Sequence, residues 1–114
     1  NEFMLIFRHQ DGRKVHRPKN ANMDETNIDW IGGIAAQNKY VEGNGLSFDD
    51  ARLVHHNKVV TNGFGEVKET LGGYIIVRAE SADEAAEFAK GCPVLAGEGN
   101  TVEVRKIARG DGVH

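Results

Sequence analysis

KVVTNGFGEVKETLGGYIIVRA, residues 58–79, is the stretch from which the rest of the chain is read. Its second half, Leu71 to Ala79, is rich in β-branched and aromatic residues, the composition of a strand. Successive side chains of a strand point to opposite faces. Tyr74, Ile76 and Arg78 therefore share one face, and Ile75 and Val77 share the other. Both faces are largely apolar, so the strand needs cover on both sides. Its first half, Lys58 to Thr61, is a β-branched run closed by Asn62-Gly63, a dipeptide that tolerates positive φ and marks a turn. Gly65 and the mixed charges of Glu66, Lys68 and Glu69 follow. A glycine-rich turn can present backbone N–H groups to an anion. No Gly-Lys-Ser/Thr follows, so this is not a P-loop. Two readings stand: a tight connection with a solvated charged edge, or an anion-binding turn.

Outward from there, Phe3 to Arg8 (FMLIFR) is a second strand apolar on both faces. Phe3, Leu5 and Phe7 fall on one side, and Met4, Ile6 and Arg8 on the other. Residues 9–21 read as a loop with a basic bias: Arg8, Arg13, Lys14, Arg17 and Lys19, with His9 and His16, face only Asp11. A basic loop in an acidic protein attracts anions; a solvated loop is the plainer reading. Asn22 is placed to cap a helix with Glu25 at its third position. Ile28, Ile31, Ile34 and Ala35 form its expected apolar stripe, flanked by Trp30. Gly32-Gly33 costs the helix about 1 kcal/mol per glycine relative to alanine, a cost that close packing on a sheet or another chain would explain. The helix is expected to fade near Lys39, before a short strand at Tyr40–Glu42 and a loop over Gly43–Asp50. Arg52–His55 and Lys58–Thr61 read as a hairpin. On a strand the adjacent His55 and His56 face opposite ways, which suits one shared metal poorly.

Ser81 and Glu84 form a capping box for a second helix to Ala89. Its alanines, with Phe88, give a smooth face for packing, and Gly91 and Pro93 end it. Residues 94–100 read as loop and Thr101 to Ile107 as a last alternating strand. At 114 residues, with 39% hydrophobic and 27% charged residues, this is one folded soluble domain, over residues 1–107, with a flexible tail over 108–114. A net charge of −3 and a pI near 5.9 argue against nucleic acid as partner. No apolar run reaches membrane-spanning length and no signal-peptide pattern opens the chain. The lone Cys92 excludes an internal disulfide and a cysteine zinc site, so the expected compartment is the cytoplasm. With no P-loop and no HExxH spacing, no cofactor or metal is expected.

The order of elements is that of an α+β, ferredoxin-like split β-α-β fold with an extra hairpin. Two helices cover one sheet face; a second copy would cover the other, making a homodimer. The residues that carry this reading, FMLIFR, WIGGIAAQNKYVEGNGLS, KVVTNGFGEVKETLGGYIIVRAESADEAAEFAKGCP and TVEVRKI, resemble the YCII-related proteins, in the branch of DGPF-domain proteins. The resemblance implies a dimeric α+β barrel with a cleft near the sheet face. It implies little about activity; some members of the branch look like partners encoded beside extracytoplasmic-function sigma factors. The name-giving Asp-Gly-Pro-Phe stands here as Asn62-Gly63-Phe64. A related branch, similar to muconolactone isomerase, carries a histidine on the first helix where this chain has Asn27, so that role is not carried over.

Two functions follow as expectations. One is a dimeric binding protein for a small anionic or carbonyl-containing molecule, its cleft lined by Arg8, Trp30, Phe64, Glu66, Lys68 and Tyr74. The other is a small-molecule enzyme, isomerase- or lyase-like by analogy of fold, with His9 or Glu66 as base and Arg8 as electrostatic clamp.

Overall fold

Two strands with apolar side chains on both faces belong in the middle of a sheet, and both lie there. The structure, a computed structural model, describes residues 1–10, 21–47, 50–61 and 69–108. Its elements are β1 (Glu2–Gln10), α1 (Ala21–Ala36), β2 (Tyr40–Gly45), β3 (Arg52–Val54), β4 (Val59–Thr61), β5 (Glu69–Arg78), α2 (Ala82–Ala89) and β6 (Thr101–Lys106). Four strands form an antiparallel sheet of order β2-β5-β1-β6, with β1 and β5 central. Without the separate β3–β4 hairpin, this is the ferredoxin-like arrangement.

Alternation builds the core. Phe3 and Leu5 of β1 stand opposite Val77 and Ile75 of β5, and all four are buried on one face. Ile34 of α1, Ala85 and Ala89 of α2, and Ala79 close over them, with Val102 and Val104 of β6 and Tyr40 of β2 at the margins. Burying a side chain of the Leu or Ile class contributes about 1.5–3 kcal/mol, so this cluster is the main source of cohesion.

Helix α2 follows its sequence closely. The Ser81 hydroxyl accepts a hydrogen bond from the Glu84 N–H at 3.1 Å, and the Glu84 carboxylate accepts one from the Glu80 N–H at 2.7 Å. The return bond thus reaches one residue further back than in the usual box. Helix α1 departs more. It already includes Ala21, so Asn22 lies within it rather than at its cap. Its buried side carries Trp30, Ile31 and Ile34, whereas Ile28 is 66% exposed and Ala35 also faces out. The helix is rotated relative to the expected stripe because the bulky Trp30 is drawn inward: it packs on Phe7, with ring centroids 5.9 Å apart. Its indole N–H donates to the Phe88 carbonyl at 2.9 Å. Gly32 and Gly33 are exposed, and a Cβ at either position would meet nothing within 4 Å. Close packing on the sheet therefore does not account for them. The helix ends in a Schellman motif, with Asn38 at φ 62° and bonds from Asn38 N to Ala35 O and from Lys39 N to Ile34 O.

The connections also differ in detail. Strand β1 runs through His9 to Gln10, and β2 continues through Gly43 to Gly45, past the expected Glu42. Pro93–Ala96 is a 3₁₀ turn rather than loop, a unit too short to show a period in sequence. Asn100 ties it to the sheet: its side chain donates to the Val94 carbonyl and accepts from the Gln10 N–H. The hairpin forms with Val54 opposite Val59, and His55 and His56 are exposed at its end. The basic loop at 11–20, the Asn62–Lys68 turn and the tail beyond Ala108 lie outside the described residues.

Glycine is needed where β2, β5 and β1 converge. Gly73 has φ +154°, and a Cβ there would sit 2.8 Å from the Asn44 carbonyl oxygen. The β1–β5 register slips at this point: Phe7 faces Gly73 and Arg8 faces Leu71, leaving Gly72 as the extra residue of a bulge. Gly73→Ala is expected to destabilise the fold by about 1–3 kcal/mol, because strain and a backbone clash coincide. Gly32→Ala, in open space on a helix, is expected to stabilise it by about 0.4–1 kcal/mol. Urea unfolding of the two variants checks both signs.

Candidate functional site

The second face of the sheet is the candidate site, because among the described residues no helix covers it. Its centre is apolar: Met4 and Ile6 of β1 stand opposite Ile76 and Tyr74 of β5. At the β2 edge, Glu42 pairs with Ile76 and Asn44 with Tyr74. The Asn44 side-chain amide donates to the Tyr74 hydroxyl at 3.1 Å, holding the phenol toward that edge. At the β6 edge, Arg105 pairs with Met4 and Glu103 with Ile6.

Arg8 stands on this face, two residues beyond Ile6. Its Nε donates to Glu103 Oε1 at 2.9 Å, and its Nη2 lies 2.8 Å from the same oxygen. Arg105 Nη1 meets the other oxygen, Glu103 Oε2, at 3.2 Å. One carboxylate thus bridges two guanidinium groups, and the cluster keeps one net positive charge. The Arg8 and Glu103 side chains retain 35% and 32% of their exposure, so water and small solutes reach the pair. Hydrogen bonds from Arg8, then Arg105, hold the Glu103 carboxyl below the usual carboxylate range.

Arg8 and Tyr74, two of the expected site residues, are thereby placed on one face. Trp30 lies on the opposite, helix-covered side, where it joins α1 to the end of α2; a Cβ on Gly91 would come within 3.1 Å of its ring. His9 lies against the backbone of the bulge, where a Cβ on Gly72 would collide with its imidazole. Phe64, Glu66 and Lys68 fall outside the described residues. Glu103, Arg105, Asn44 and Glu42 were not singled out from sequence. The alternation in TVEVRK does put Glu103 and Arg105 on one face, but only the strand order sets that face beside Arg8.

Other chemistry is sparse. Cys92 is buried at the end of α2, and desolvation pushes its thiol up to about 11, only partly offset by a backbone hydrogen bond involving Val94. Its burial and raised thiol pKa are those of a packed side chain. Among the described residues, no three His, Cys, Asp or Glu side chains converge as metal ligands, and no helix is long and apolar enough to cross a membrane.

The model of the YCII-related domain matches residues 3–109, nearly the whole chain. The chain belongs to the YCII-related family. No curated protein matches it. For this YCII-related chain, family membership thus agrees with the ferredoxin-like α+β fold and assigns no reaction.

The Arg8–Glu103 pair makes stability pH-dependent. Glu103 is depressed in the folded state, so its contribution is fully present above the unfolded value of about 4.3 and is lost as pH falls through the lower folded value. Glu103→Gln should therefore flatten the acid side of the profile of melting temperature against pH and leave the neutral side nearly parallel to wild type. An unchanged acid limb would mean the pair contributes nothing to this linkage.

Proposed function

We propose that the chain acts as a homodimeric binding protein for a small anionic or carbonyl-bearing molecule, held in a cleft beside the sheet with Arg8 as its anchor. The observation that carries this reading is the partly exposed Arg8 guanidinium beside the apolar centre of a face that no described helix covers. A guanidinium holds a carboxylate by charge-assisted hydrogen bonds, and the neighbouring Tyr74 ring offers an apolar body something to lie against. Two arginines to one glutamate leave a positive field for an incoming anion. Phe64, Glu66 and Lys68, expected beside them, lie outside the described residues; Trp30, engaged with Phe88 and Phe7, serves packing instead.

The dimer is part of the same reading. Met4, Ile6 and Tyr74 stay partly exposed beside the buried Ile76 on the sheet face that no described helix covers, and a second copy would complete their burial. The combination of E-x-K-E, Gly72-Gly73-Tyr74 and Cys92-Pro93 supports the DGPF-domain branch, from whose name-giving motif Asn62-Gly63-Phe64 departs, and cysteine usage supports a cytoplasmic location. An isomerase- or lyase-like activity would need His9 or Glu66 as base with a partner beside it. Of these two, His9 is set against the Gly72 backbone, and Glu66 lies outside the described residues.

Light scattering at micromolar concentration should give about twice the 12.5 kDa chain mass. In a thermal-shift screen of benzoate, succinate and related carboxylates, Arg8→Ala should weaken binding roughly ten- to a hundredfold, the range for hydrogen bonds to a charged group. The dimer mass should be unchanged. A monomeric wild type, or one that no small carboxylate stabilises, would defeat the corresponding half of the proposal.

A further inference from the structure

The best donors of Arg8 are already in use. On the Nε–Nη2 edge of its guanidinium, Nε lies 2.9 Å and Nη2 2.8 Å from Glu103 Oε1. Such an edge can hold the two oxygens of one carboxylate, each on its own nitrogen, in parallel charge-assisted bonds. In this cluster both nitrogens converge on a single oxygen. The other, Oε2, is turned to Arg105 Nη1 at 3.2 Å. Glu103 is thus shared between two arginines and fills the Arg8 fork by half.

Three consequences follow for a ligand. A free carboxylate could give the Nε–Nη2 edge one oxygen for each nitrogen, a better match than Glu103 makes. Glu103 has somewhere to go, because Arg105 stands two residues along the same strand and already holds Oε2. The Arg8 and Glu103 side chains are both partly exposed, so the exchange leaves the core closed. Charge points the same way. Two guanidinium groups and one carboxylate leave one positive charge, which a single ligand carboxylate cancels. A neutral carbonyl group brings one oxygen and no charge, less than Glu103 supplies. The outer edge of Arg8, Nη1 with Nη2, would set a second carboxylate beside Glu103, and like charges brought together cost affinity.

We propose that Glu103 is a resident stand-in for the ligand's own carboxylate, and that the ligand is a carboxylate that takes its place on the Nε–Nη2 edge of Arg8 while Glu103 stays with Arg105. This rests on the Arg8-anchored reading above and narrows its ligand from an anion or a carbonyl compound to a carboxylate taken up by exchange. Glu103 then sets specificity: it admits an anion that can outcompete it and turns away neutral carbonyl compounds.

Calorimetric titration with benzoate and its neutral isostere benzamide tests the exchange. Wild type should bind benzoate roughly tenfold or more tightly than benzamide, the difference made by a charged partner. Removing the competitor, by Glu103→Ala or Glu103→Gln, should tighten benzoate binding by roughly three- to thirtyfold, the span from an exposed ion pair to a charge-assisted bond. Adding Arg8→Ala to either should abolish the gain. Glu98→Gln, at an exposed carboxylate before β6, removes the same charge and should change little. In the nitrogen–proton correlation spectrum of Glu103→Ala, the Arg8 Nε–H signal should leave its wild-type position and return toward it as benzoate is added. Arg8-dependent benzoate binding that neither Glu103 variant tightens, or that Glu98→Gln tightens equally, overturns the exchange and leaves the Arg8 site standing. So does an Nε–H signal that benzoate binding does not move, or a wild type that takes benzamide as well as benzoate. If neither wild type nor Glu103→Ala binds benzoate, the exchange and the Arg8 site fall together.

Discussion

Everything in this fold depends on the antiparallel pairing of β1 with β5. Each strand is apolar on both faces, and alternation gives neither a free choice. The residues that build the core, Phe3, Leu5, Ile75 and Val77, force Met4, Ile6, Tyr74 and Ile76 to the other side. Among the described residues, the two helices cover one face only. The apolar strip opposite them is a direct result of the core beneath, not an independent feature, and a substitution that made it polar would act on the same two central strands.

Beside that strip, at the β6 edge, two positive charges are partly offset by one negative charge. Glu103 between Arg8 and Arg105 reduces two positive charges to one, a smaller desolvation burden for any surface that comes to cover them. The bulge at Gly72 works at the same end. It shifts the pairing at Arg8 by a residue, while Gly73 lets the backbones of β2 and β5 come together. Backbone geometry and charge placement thus combine where the strip meets the mouth of the proposed cleft.

Much of the fold was legible in the sequence because strong local signals agreed with one another. The apolar run from Leu71, the Ser81–Glu84 box and the β-branched flanks of the hairpin each name their element. Helix α1 was harder, since isoleucines at 28, 31 and 34 and a tryptophan at 30 allow more than one buried stripe. Only docking of Trp30 on Phe7 and Phe88 settles which side turns inward. The site was legible in part: Arg8 and Tyr74 could be assigned faces by counting. Their neighbours Glu103, Arg105 and Asn44 come from strands distant in sequence, and which strand lies beside which is a property of the whole sheet.

Trp30 has a practical consequence of its own. It is the chain's single tryptophan, and it sits in the helical layer with its indole hydrogen-bonded across from α1 to the end of α2. Its fluorescence therefore reports on docking of the two helices against each other and against Phe7. Events on the opposite face of the sheet are separated from it by the full thickness of that sheet. The protein carries a built-in optical probe that reads the integrity of one layer while remaining largely blind to the other.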